Sequence, residues 1–143
     1  MATDTFNFFN SFSETVADGT IDLDTHTFKV ALTNSAPVAT NTQLSDITQI
    51  ANGNGYTTGG TALTSVTWTR STNTATFASA DVVFTASGGN MGPFQYVVLY
   101  SDTATNDDLV GWLDYGSALT LADTETLTIS EASGWFTISF TNP

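Results

Sequence analysis

Phe94-Gln95-Tyr96-Val97-Val98-Leu99-Tyr100-Ser101 is the stretch from which the rest of the chain is best read. Its side chains are apolar at successive positions, so both faces are apolar, the mark of a central strand covered on each side. The longest uninterrupted apolar run inside it, Tyr96 to Tyr100, falls far short of the roughly 18 residues of a membrane span.

Toward the carboxyl end, Asp102–Asp108 reads as a polar loop and Leu109–Tyr115 as an aromatic-rich strand. Thr124–Ser130 then pairs with Gly134–Phe140 across Glu131-Ala132-Ser133, with Leu127 and Ile129 in the one and Phe136, Ile138 and Phe140 in the other supplying inward faces. Toward the amino end, Asp81–Ala86 is a strand ended by Ser87-Gly88-Gly89. Residues 62–70 and 74–78 form a hairpin through Ser71-Thr72-Asn73. Asn52-Gly53-Asn54-Gly55 and Gly59-Gly60 bracket Tyr56-Thr57-Thr58, a pattern of tight, glycine-dependent backbone. Ser45–Ile50 reads as a short helical turn capped by Ser45 or Asp46. Phe28, Val30 and Leu32 alternate with Thr27, Lys29 and Ala31, a half-buried strand. Residues 4–18 carry the only helical spacing, Phe8/Phe12/Val16 and Phe6/Phe9/Ser13/Val16, with Gly19 where a helix commonly stops.

Seven or eight short strands with turn signals about every 8–12 residues predict a mainly β fold, an antiparallel β-sandwich or partly closed barrel. It carries one N-terminal helix and a short helical turn. At 143 residues the expectation is a single domain, 1–143, with the helix at 4–18 and a β-rich body at 25–143.

Only Lys29 and Arg70 stand against 14 acidic residues, a net charge of −12. A surface that neutralises phosphates needs several basic residues, so direct nucleic-acid binding is not expected, and an anionic membrane would repel the chain. Charged residues are nevertheless only 11% of the whole. Threonine alone is roughly a fifth of the residues, a bias toward strands. There is no cysteine, which removes disulfides, thiolate metal sites and a thiol nucleophile. Met1-Ala2-Thr3-Asp4-Thr5 has no basic run of the kind that opens a secretory signal, so synthesis in a host cytoplasm is expected.

Catalytic equipment is sparse. His26 is the one histidine, it precedes a strand, and no acid–base partner is suggested for it. Gly-x-Ser-x-Gly is absent. Asp81, Asp102, Asp107, Asp108, Asp114 and Glu125 are too scattered to nominate a glycosidase pair, although Asp114 is the acid most expected to be partly buried. The acidic loops 18–24 and 102–108 lack the ligand spacing of an EF-hand and read as solvated turns. No enzyme activity, cofactor or metal is expected.

Several segments in order carry a resemblance. They are Val30-Ala31-Leu32-Thr33-Asn34-Ser35-Ala36-Pro37, the run Ile47–Gly60, Asp81–Gly89, Gly92–Tyr100, and Trp112-Leu113-Asp114-Tyr115-Gly116. Together, over about residues 6–140, the chain resembles a family of small structural proteins of tailed bacteriophages. The resemblance implies a virion component on the outer capsid surface, a head decoration or cement protein. Its partners would be the major capsid protein and itself, as a homotrimer. The alternative is a tail or fibre component, such as a glycan-binding module in which Trp68, Trp112 or Trp135 forms an exposed platform. Candidate interface residues are Phe6, Phe8, Phe9, Phe12 and Val16 of the helix, Tyr56 of the glycine loop, and Trp112 and Tyr115 of the aromatic strand.

Overall fold

Phe94–Ser101 lies in the middle of the largest sheet. The computed structural model describes residues 5–141. In chain order its strands are β1 (Asn7–Phe8), β2 (Phe28–Thr33), β3 (Thr61–Ala62), β4 (Thr67–Ser71), β5 (Thr74–Ala78), β6 (Val82–Thr85), β7 (Met91–Ser101), β8 (Leu109–Leu121), β9 (Thr126–Ile129) and β10 (Phe136–Ser139). They form three antiparallel sheets, β1-β8-β7-β2-β3, β10-β5-β4 and β6-β9, which do not close into a complete barrel.

β7 is central because it can bury both faces. Val97 and Leu99 join Phe28, Val30 and Leu32 of β2 in the larger core, while Val98 and Tyr100 face the other way with Ala31, Leu109, Phe9 and Ile47. Ala31 is therefore fully buried, and β2 is a two-sided strand rather than the half-buried one its alternation predicts. Pairing of Val97 with Leu113 and Val98 with Trp112 extends the alternation into β8. A register shift between Leu99 and Tyr100 leaves Val110 as an extra residue, which turns into the larger core. The two small sheets cover that core with Phe77, Val82, Phe84, Leu127, Ile129 and Phe136.

Four further expectations, about the elements themselves, are corrected. The helix predicted over 4–18 is helical only at α1 (Phe12–Thr15), and residue 4 lies outside the described residues. Asn7 and Phe8 instead pair with Trp112 and Gly111 of β8. The phenylalanine spacing fits a helix, but Gly111 opposite leaves room for the Phe6 ring, and strand pairing takes the segment. Second, the turn predicted at Ser45–Ile50 is a single 3₁₀ turn, Leu44–Asp46, after which Gln49 bridges to Thr33. The Asp46 carboxylate closes that turn by accepting the Thr42 and Gln43 N–H groups. Third, residues 62–70 are not one strand. The chain leaves the five-stranded sheet after Ala62, buries Leu63, and enters the other layer at Thr67. Fourth, β9 and β10 do not pair with each other: β9 pairs with β6 and β10 with β5. Trp135 supplies the reason. Its N–H donates to the Phe77 carbonyl and its indole Nε1 donates to Ser79 Oγ at 2.9 Å, which draws the chain across to β5.

Candidate functional site

The five-stranded and three-stranded sheets do not join at one corner, and two of the exposed large apolar side chains, Phe8 and Phe140, lie there. β1 ends the five-stranded sheet and β10 ends the three-stranded one. At depth the gap between them is filled by rings. Phe136 stacks on Phe6 at 5.3 Å and on Phe77 at 5.1 Å, and meets Phe8 and Phe12 edge-on at 5.2 and 5.6 Å. Offset and edge-to-face pairs of this kind add to simple area burial. Above the rings the corner is open. A groove runs from Phe8 and Phe12 past Val16 and Ile138 to Trp68 and Phe140.

The chain builds this groove from both its ends. α1 buries Phe12 and Thr15 and leaves Val16 half-buried at its exit. β10 alternates outward as it leaves the core: Phe136 is buried, Ile138 half-buried and Phe140 73% exposed, so Phe140 is not the inward residue its period predicts. Trp68 reaches the groove from β4.

The floor is apolar and the rim acidic. Asp22 and Asp24 line one end, with Glu14 and Asp18 exposed on the adjoining segment. Asp18 accepts the Thr20 N–H at 2.8 Å, and Asp22 accepts those of Asp24 and Thr25 at 2.9 and 3.2 Å. Hydrogen bonds from Thr20, side chain first and backbone second, hold the Asp18 carboxyl below its ordinary range. The Thr25 side chain and the Asp24 N–H do the same for Asp22.

The candidate interface residues from the sequence separate into groups. Phe8 and Tyr115 are exposed at 41% and 36%, and Phe6, Val16 and Trp112 are half-buried. Phe9, Phe12 and Tyr56 are buried in the interior. Tyr56 holds the glycine loop to β2: its hydroxyl accepts the Leu32 N–H at 3.2 Å and donates to Gln49 Oε1 at 2.6 Å. Burial pushes that hydroxyl's pKa up to about 12. Phe8, Phe9, Phe12 and Val16 thus line the groove and Phe6 stacks on Phe136 beneath it, whereas Tyr56, Trp112 and Tyr115 lie away from it. Sequence reasoning missed Phe140 as surface, while Ile138 packs on the larger core and is only half-covered, because alternation does not report where the strand passes the sheet edge.

Other candidate chemistry is dispersed. Trp112 packs on Phe9 across the far face of the five-stranded sheet, while Trp68 and Trp135 belong to the larger core. The three tryptophans form no shared platform. His26 does have a partner that its sequence context conceals, since its Nδ1 lies 2.9 Å from Ser101 Oγ and accepts the Asp22 N–H at 3.3 Å. Ser101 is fully buried and its Oγ also accepts the Ala104 N–H. The pair therefore ties two turns together, with the hydroxyl buried and the imidazole half-buried. Asp102 bridges Lys29 at 3.3 Å, and Asp114 accepts from Gln95 Nε2 and the Gly116 N–H. Burial, reinforced by Asp102, raises the Asp107 carboxyl above its ordinary range. Among the described residues no group of three or more His, Asp or Glu is placed to hold a metal ion. No helix among them is long and apolar enough to cross a membrane.

Comparison with known proteins brings no assignment: no family model, no curated protein and no solved structure matches the chain.

Proposed function

We propose that this chain is a structural protein of a tailed-bacteriophage virion, a decoration or cement protein that sits on the outer head surface and bridges major capsid protein capsomers. The observation that carries the reading is how the resembling segments pack on one another. Ile50 donates to the Leu32 carbonyl, Ser87 to that of Asn54, and Tyr100 Oη to that of Gly59. Tyr96 pairs with Asp114. The segments that carry the resemblance are thus in contact with one another in the fold.

The physics of the role is consistent with the molecule. A head packed with DNA is strained outward, and a protein spanning adjacent capsomers resists their separation by adding contact area. Many identical copies make modest contacts effective together. A cyclic trimer suits a local three-fold position. A net charge of −12 favours the outside of the shell over the DNA within.

The test is on particles. Purified heads should carry the chain in fixed stoichiometry on their outer face by direct imaging, and heads stripped of it should lose integrity at a lower temperature. Heads that withstand heat unchanged without it would overturn the cement role, and its absence from particles would overturn the virion reading.

A further inference from the structure

We propose that the open corner between β1 and β10 receives an extended segment of a partner protein, one carrying apolar anchor side chains flanked by Lys or Arg. The backbone argues for it first. Among the described residues β1 pairs only with β8, and β10 only with β5. An unpaired strand edge therefore borders the groove on each side, the setting in which an added strand is held by main-chain hydrogen bonds and selected by its alternate side chains.

The floor argues for the anchors. Phe8, Val16, Trp68, Ile138 and Phe140 are exposed or half-buried and line the groove. An apolar strip rimmed by polar residues is the usual form of a docking surface.

Charge selects the flanks. Asp22 and Asp24 line the groove, Glu14 and Asp18 stand beside it, and neither of the chain's two cations neutralises them. Lys29 is engaged with Asp102, and Arg70, two residues along β4 from Trp68, donates through Nη1 to the Thr72 carbonyl. The bonded carboxylates of Asp18 and Asp22 stay ionised even in mildly acidic solution. A second copy would set two such rims against each other within a total of −12 on each chain, so the fitting occupant is a basic partner.

This inference goes beyond the virion reading and is tested without particles, so either can fail alone. The full-length protein is titrated with a short synthetic peptide in which Phe and Leu alternate with Lys and Arg. Controls are the same peptide with Glu at every basic position and the same peptide N-methylated at alternate backbone nitrogens. Calorimetry reads affinity, and the indole resonances of Trp68 and Trp112 read location. The basic peptide is expected to bind with a Kd of about 10–100 μM, shifting Trp68 and not Trp112, while each control loses about tenfold or more. Raising the salt to about 0.5 M weakens binding severalfold. The pair Glu14→Lys and Asp24→Lys weakens it about tenfold with an unchanged melting profile, and Phe140→Ser weakens it with the rim intact.

No binding by the basic peptide, equal binding by either control, indifference to charge reversal, or a shift centred on Trp112 would each overturn the proposal. So would self-association of the free protein that shifts Trp68 and strengthens with salt, since the groove would then belong to a second copy.

Discussion

The glycine loop against β2 and the corner between β1 and β10 hold the chain together by opposite means. At the loop, backbone lies on backbone. A Cβ built on Gly60, at φ +81°, would stand 1.7 Å from the Val30 carbonyl oxygen, and one on Gly55 would stand 2.1 Å from that of Thr85. At the corner, contact is ring on ring around Phe136, and among the described residues two strand edges are left unpaired. Close backbone approach excludes water and any partner. Aromatic packing at an unclosed seam leaves both apolar surface and hydrogen-bonding capacity to offer. The difference teaches that this fold keeps its rigidity and its adhesiveness in separate places.

Substitutions should separate the two regions by size of effect. Gly60→Ala must move β2 or abandon the left-handed backbone, so a loss of at least about 4 kcal/mol or failure to fold is expected in urea unfolding. Gly111→Ala comes next. Its Cβ would meet the Phe6 ring at 2.3 Å and the Asn7 carbonyl oxygen at 2.4 Å. Displacement of β1 should cost about 2–3 kcal/mol, with Phe6 and Phe8 resonances moving while those of the glycine loop and its contact on Val30 stay in place. If the loop and Val30 resonances shift equally, the two regions are not independent. Tyr56→Phe leaves the buried Leu32 N–H without its acceptor and should cost about 1–2 kcal/mol, with no change in corner resonances.

The smallest effect is acid dependence. Asp18, Asp22 and Asp46 have pKa values lowered from an ordinary 3.8 by hydrogen bonds made in the fold. Their contribution is complete above that value and is lost as pH falls through the folded one. Asp107 is raised and works the other way, weakening the fold while ionised and relieving it on protonation. The urea midpoint should therefore fall below about pH 4. Asp22→Asn keeps an acceptor oxygen without titrating and should flatten that acid limb; an unaltered limb would assign the loss elsewhere.

Much of the core side of this comparison is legible in the amino-acid order. β7 declares itself by apolar residues at successive positions, and the β4–β5 hairpin by alternation around Thr72-Asn73. Alternation in β2 identifies the strand but not its second covered face, because Ala31 is small enough to read as either surface or core. The corner is far less legible. Four phenylalanines at helical spacing describe one face of a helix equally well as a strand and a turn, and only Gly111, over a hundred residues away, decides between them. The turn at Glu131–Gly134 announces a reversal without naming a partner, and the choice is made by Trp135 reaching Ser79. What stays hidden in both cases is long-range complementarity. The groove inherits that obscurity, since its walls come from opposite ends of the chain.

Residue-level hydrogen exchange, with and without the basic apolar peptide, tests the separation of rigid core from adhesive corner most directly. The account predicts that β2 and β7 amides exchange slowly in both conditions, while amides of β1 and β10 exchange fast in the free protein and gain protection on binding. Protection gained along β7 and the outer part of β8, with none at β10, would contradict it.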